Sequence, residues 1–233
     1  MPAQSPMKTI LPRSASVAEQ FGDADQPPHF KEMVHVESAM PARRRSFANG
    51  RACAHRALAL LGVPDEPVGV GPLGEPRWPT DVVGSITHCD GYSACAVAWE
   101  NEIFALGIDA EPNASVSSAV LEGIAGRDER RAIVALMRRE PAIAWDRLLF
   151  TAKESAYKMW SSRAGRSAWF TDVSIRLRHM SSDGDVHTGA FDAVTALPLP
   201  WPQRTASNAV QGAWLADPGL LVACAFVRSR NPT

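Results

Sequence analysis

The chain has 233 residues, 24 basic and 25 acidic, with a net charge of −1 and 45% apolar side chains. That length supports one large domain or two modest ones around a buried core, and the near-neutral balance excludes a global field drawing the chain to nucleic acid or an anionic membrane. Cys53, Cys89, Cys95 and Cys224 are irregularly spaced, with no Cys-x-x-Cys, which argues against a zinc knuckle and a disulfide framework. Met1–Phe30 has no apolar run suited to a signal peptide, and no segment approaches the roughly 18–20 apolar residues that span a bilayer, so a reduced cytoplasmic protein is expected.

Residues 1–30 mix Pro, Ser, Asp and Gln without a steady period and read as a loosely structured lead-in. From Arg43 to Leu61 the spacing predicts a helix, with Phe47, Ala54, Leu58 and Leu61 on one stripe and Gly62 and Pro64 as stop signals. A turn-rich stretch follows from Pro64 to Pro79, and then strands over Tyr92–Trp99 and Glu102–Glu111, the second ended by Pro112. Arg127–Arg139 reads as a surface helix and Trp145–Trp160 as another. Asp172–Leu177 is strand-like, and Asp217-Pro218-Gly219 joins a hairpin of Gly212–Leu215 and Leu220–Val227. Tyr92–Val97 and Leu221–Phe226 share Ala-Cys-Ala, a faint echo between the halves.

Four segments carry chemistry. On a strand, Asp109 and Glu111 project from one face, where their mutual repulsion suits either simple solvation or a hard cation such as Mg²⁺. On the Trp145–Trp160 helix, Leu149, Ala152, Ala156, Met159 and Trp160 make the apolar stripe. Glu154 lies opposite, with Lys158 one turn on and Lys153 adjacent. These are either an ordinary surface pair or, joined to the first two acids, a Mg²⁺–diphosphate site. Gly84-Ser85-Ile86-Thr87-His88-Cys89 offers hydroxyl, N–H and imidazole donors to phosphate, although a lone His at a strand edge is commonly structural. Arg44, Arg51 and His55, with Arg43 beside them, form a basic helix flank that serves either solvation or phosphate.

In this order the segments resemble the signature of the Sfp-type phosphopantetheinyl transferases, most of all the actinobacterial and enterobactin-synthase-associated members. The residues that carry the resemblance are Arg43–Arg51, Gly74-Glu75-Pro76-Arg77-Trp78-Pro79, Gly84–His88, Gly107-Ile108-Asp109-Ala110-Glu111-Pro112, and Trp145–Phe150 running into Lys153–Lys158. It covers residues 40 to 175. It implies an α+β fold, a pseudo-twofold arrangement of two similar α/β subdomains at 31–112 and 113–233, with coenzyme A in the cleft between them. It further implies Asp109, Glu111 and Glu154 as ligands of Mg²⁺ (Mn²⁺ as the alternative ion), and Lys153 and Lys158 beside the diphosphate. Arg43, Arg51 and His88 would hold the 3′-phosphate, Thr87 would be a further coenzyme A-binding residue, and Gly74 and Glu75 match the loop past the adenine. Where related enzymes often place lysines before Gly74, this chain has Val70, Gly71, Pro72 and Leu73.

The reaction so implied is transfer of phosphopantetheine from coenzyme A to a serine of an apo acyl or peptidyl carrier protein, by a monomer. Glu154 is the expected base, Glu111 the alternative, and Lys158 offsets charge on the leaving phosphate. Exposed arginines such as Arg138, Arg139 or Arg163 would steer an acidic carrier. The competing readings are a Mg²⁺-dependent phosphohydrolase and an inactive coenzyme A-binding module.

Overall fold

The computed structural model describes residues 5–24, 29–72, 74–165, 170–195 and 209–229. Of the expectations above, Leu73 and parts of the lead-in, residues 1–4 and 25–28, lie outside them.

The rest of the lead-in is built into the fold, contrary to the sequence reading. Helix α1 (Pro6–Ile10) buries Met7 completely, and strand β1 (Ser16–Phe21) carries Glu19. The Glu19 carboxylate accepts the Met7 and Lys8 backbone N–H groups, each at 3.2 Å, and the Tyr92 hydroxyl at 2.7 Å. Composition hid this segment because its order comes from long-range partners, not from local periodicity.

After the short α2 (Phe30–Met33) comes α3 (Pro41–Leu61), opened by Pro41 in its first turn and closed by Gly62 at φ 81°. Strands β2 (Gly69–Val70) and β3 (Pro76–Arg77) pair as a small ribbon. They are followed by β4 (Val82–Cys89), β5 (Tyr92–Trp99) and β6 (Ile103–Pro112). Helices α4 (Ser118–Ile124), α5 (Arg127–Arg139) and α6 (Trp145–Ala164) lead to β7 (Val173–Asp183), β8 (Val186–Thr195), β9 (Ala209–Ala216) and β10 (Leu220–Arg228).

The strands form a mixed α/β architecture of antiparallel sheets. One has the order β1-β5-β4 and the other β6-β10-β9-β8-β7. Both strands of the Ala-Cys-Ala echo are central: β5 lies between β1 and β4, and β10 between β6 and β9. The backbone of β6 pairs along its length with β10, from Pro112 opposite Leu220 to Gly107 opposite Ala225.

The sheets meet along β4 and β6, where side chains replace the backbone ladder. Ser85 Oγ accepts the Ile108 N–H at 3.1 Å, and Thr87 Oγ1 accepts the Ala110 N–H at 3.0 Å. Helix α3 packs Cys53, Ala54, Ala57 and Leu58 on the first sheet, and α6 packs Leu148, Leu149, Ala152, Ala156 and Met159 on the second. Burying each large aliphatic side chain stabilises the fold by about 1.5–3 kcal/mol.

Candidate active site

The site exists because α6 lies unusually close to β6. A Cβ at Gly107 would sit 2.0 Å from the Ser155 carbonyl oxygen and 2.5 Å from the Met159 nitrogen, so only glycine permits this approach. The alternation of β6 sends Leu106, Ile108 and Ala110 into the core shared with β5 and β10, and Ala105 into the core beneath α6. Gly107 and Asp109 share the α6 side, and Lys158 arrives one turn beyond Glu154.

Asp109 is the centre of the cluster. It is 5% exposed, and its Oδ1 accepts Lys158 Nζ at 2.6 Å and the Thr87 hydroxyl at 3.1 Å. Its Oδ2 is buried with no hydrogen-bond partner among the described residues. Burial pushes the Asp109 carboxyl above its ordinary range, although Lys158 and Thr87 pull the other way. Glu111, one step along the same face, receives Arg147 Nη1 at 3.0 Å, while Arg147 Nε reaches the Ala114 carbonyl. Burial and the neighbouring Asp109 raise Glu111 as well.

Glu154 is half-buried on α6. Burial raises its carboxyl, Lys158 lowers it, and Asp109 and Glu111 raise it further. The three acids therefore share one electrostatic environment and repel one another across it. Among the described residues no three His, Cys, Asp or Glu side chains are gathered closely enough to hold a metal ion by themselves. The Asp109 and Glu111 carboxylates are held by the cations of Lys158 and Arg147.

His88 stands at the solvent side of β4. Crowding by protein, then the positive charges of Lys158 and Arg43, hold its imidazole below the usual range. That places Arg43, at the exposed start of α3, within the same field as Lys158. Arg51 is buried, not on a solvated flank. It donates to the Gly69 carbonyl at 3.1 Å and stacks on Phe47 at 4.8 Å, and its Nε and Nη1 have no hydrogen-bond partner among the described residues. Gly74, at φ 82°, donates its N–H to the Gly71 carbonyl, and Gly71 donates to that of Glu75, forming a tight loop between β2 and β3. The third basic position, His55, is taken by acids: Nε2 lies 3.0 Å from Glu32 and Nδ1 2.8 Å from Asp65.

One expected ligand residue faces elsewhere, and a second is spent inside the cluster. Lys153 does not reach the carboxylate cluster: its ammonium is 1% exposed and donates to Glu129, the Phe170 carbonyl at 3.0 Å and the Val173 carbonyl at 2.6 Å. A helical position adjacent to Glu154 is rotated by about 100°, enough to turn Lys153 toward α5 and β7. Thr87 is likewise buried, with its hydroxyl committed to Asp109 and Ala110 instead of an open phosphate site.

Sequence reasoning also missed Arg147 and Glu129. Glu129 binds Lys153 and the N–H groups of Gly126 and Ile175. Neither shows a local signal, since each partner is at least 24 residues away except Gly126.

The sequence matches two family models: the 4′-phosphopantetheinyl transferase N-terminal domain over residues 31–98 and the 4′-phosphopantetheinyl transferase superfamily over 105–187. The chain is 37% identical to the 4′-phosphopantetheinyl transferase Svp of Streptomyces mobaraensis, over 91% of this chain and 85% of the relative. It is 37% identical to the 4′-phosphopantetheinyl transferase Npt of Nocardia iowensis, over 94% and 99%. With the 4′-phosphopantetheinyl transferase PptT of Mycobacterium tuberculosis it shares 35% identity, over 82% of each. Shared sequence across nearly the whole length, together with acids and a lysine gathered where β6 meets α6, means that this chain belongs to the 4′-phosphopantetheinyl transferase family of enzymes.

Proposed function

We propose that this enzyme transfers the 4′-phosphopantetheine arm of coenzyme A to a serine hydroxyl of an apo acyl or peptidyl carrier protein, releasing 3′,5′-ADP, within a fold of two related halves. The observation that carries the reading is the meeting of Asp109, Glu111 and Glu154 with Lys158 in a chain of this family. The residues fit a hard divalent cation: Asp109 Oδ2 is a buried acceptor without a donor, and all three carboxyls are raised by burial, the two glutamates also by neighbouring acids. Asp109, Glu111 and Glu154 would hold Mg²⁺, or Mn²⁺ in its place. The bound ion supplies neutralisation of the diphosphate charge.

The chain's own residues do the rest. Glu154, which has no hydrogen bond or ion pair among the described residues, takes the proton from the carrier serine as its oxygen attacks the phosphorus bearing pantetheine. As the bond to the 3′,5′-ADP oxygen breaks, the Lys158 ammonium offsets the charge on the departing phosphate. Arg43, His88 and the two unpartnered nitrogens of Arg51 would grip the 3′-phosphate, with the Gly74–Glu75 loop beside the adenine. One chain supplies every residue named, so a monomer is sufficient.

The test is intact-mass analysis of apo carrier proteins incubated with the enzyme, coenzyme A and Mg²⁺. A gain of one phosphopantetheine, abolished by EDTA and by Asp109→Ala, is expected. Coenzyme A bound without transfer to any carrier, or hydrolysed without transfer, would sink the proposal.

A further inference from the structure

We propose that His179, Ser182 and His187 form a site for a borderline transition-metal dication, Zn²⁺ foremost, on the β7–β8 strand pair, away from the carboxylate cluster. Three lone-pair atoms converge there. Ser182 Oγ lies 2.9 Å from His187 Nδ1 and 3.2 Å from His179 Nε2, and the two ring nitrogens are 3.4 Å apart. Two imidazole nitrogens at tetrahedral Zn–N distances of about 2.0–2.1 Å are separated by roughly 3.4 Å, which is the spacing found. A circle through all three atoms has a radius of about 1.8 Å, so an ion placed just above their plane reaches each at bonding distance and keeps a fourth, outward position for water.

The local fold builds this arrangement. Ser182 stands directly opposite His187 in the strand pairing, and the register slips between His179 and Ser181. That slip sets Met180 aside at the surface, 70% exposed, and brings Ser182 round to the side of His179. The backing is rigid and dry. The rings of Trp145 and Trp214 flank His179 at 6.4 and 6.1 Å, and both indole N–H groups are already used, by the Glu140 and Ala190 carbonyls. His187 is 8% exposed, whereas Ser182 is open to solvent, so an ion has an entry path on one side only.

Imidazole donors favour Zn²⁺, Ni²⁺ or Cu²⁺ over Mg²⁺, opposite to the all-carboxylate cluster. A bound ion would tie β7 to β8 and so brace the sheet against Trp145 at the start of α6.

The experiment is equilibrium dialysis of Zn²⁺ against the full chain in excess Mg²⁺, with wild type, His179→Gln, His187→Gln, Ser182→Ala and Asp109→Asn. One Zn²⁺ per chain at micromolar affinity is expected, weakened at least tenfold by either histidine change and unaltered by Asp109→Asn. Co²⁺ in place of Zn²⁺ should give the visible absorption of a tetrahedral site, lost in His179→Gln. Because His187 is buried and its variant could fail to fold, the half-buried His179→Gln, checked for an unchanged thermal melt without metal, is decisive. Zn²⁺ binding that is absent, that persists undiminished in His179→Gln, or that disappears in Asp109→Asn would overturn the proposal.

Discussion

Lys158 Nζ stands 2.6 Å from Asp109 Oδ1, joining the middle of α6 to the middle of β6 across 49 residues of sequence. The pair is asymmetric, because Asp109 is buried while Lys158 is 28% exposed. Removing the ammonium strands a charge that burial already disfavours. Lys158→Ala is therefore expected to destabilise the fold by about 1–3 kcal/mol and to lower transfer kcat by about 10²–10³-fold. Urea unfolding together with carrier-modification kinetics measures both.

Glu154 gives a pH signature. Its folded carboxyl titrates above the unfolded one, chiefly through burial, so its contribution to stability is full below the unfolded value and lost as pH rises through the folded value. Glu154→Gln, which cannot ionise, should be more stable than wild type at neutral pH in EDTA, with the difference vanishing under acid conditions. The same variant should lose transfer activity. Thermal melts from pH 4 to pH 8 decide it, and a variant less stable at every pH would refute the electrostatic account.

The Glu32–His55 pair has the opposite chemistry at the far side of α3. Hydrogen bonding to Glu32 raises the His55 imidazole against the effect of burial. Glu32 is raised by burial but lowered overall by His55 and by the Val68 N–H at 2.7 Å. The His55 contribution is present below its unfolded value and fades as pH climbs through the raised folded value. His55→Ala should cost about 1–3 kcal/mol in mildly acidic buffer and less in alkaline buffer, read from urea midpoints across that range.

Gly107→Ala tests the close approach of α6. The new methyl would meet the Ser155 carbonyl at 2.0 Å, backbone that cannot move without shifting the helix. A loss of about 1–3 kcal/mol is expected, together with a larger fall in kcat than a surface Gly→Ala change such as Gly123→Ala, whose Cβ would meet nothing.

Lys153→Met separates a structural lysine from a ligand-binding one. Burial pushes the ammonium down, Glu129 restores it, and three acceptors surround it. The change leaves the Glu129 carboxylate without its cation and should cost about 3–5 kcal/mol. Coenzyme A affinity of the folded fraction, measured by calorimetry, should stay near wild type; a large loss of affinity at unchanged stability would return Lys153 to the diphosphate.

Local physics placed much of this molecule from its sequence alone. The period of Arg43–Leu61 and Trp145–Trp160 marked both long helices, strand alternation put Asp109 and Glu111 on one face, and Asp-Pro-Gly marked the last hairpin. Those signals survive because backbone geometry repeats over a few residues. What only the tertiary structure decided were the partners of groups far apart in the chain. Glu19 caps α1 and fixes Tyr92, Thr87 stitches β4 to β6, Arg147 holds Glu111, and Lys153 turns to Glu129 while Lys158 takes Asp109. Lysines five positions apart on one helix look alike in sequence. Their fates differ because a rotation of about 140° between them aims one at α5 and the other at β6, and which surface lies there is set by how the whole chain packs.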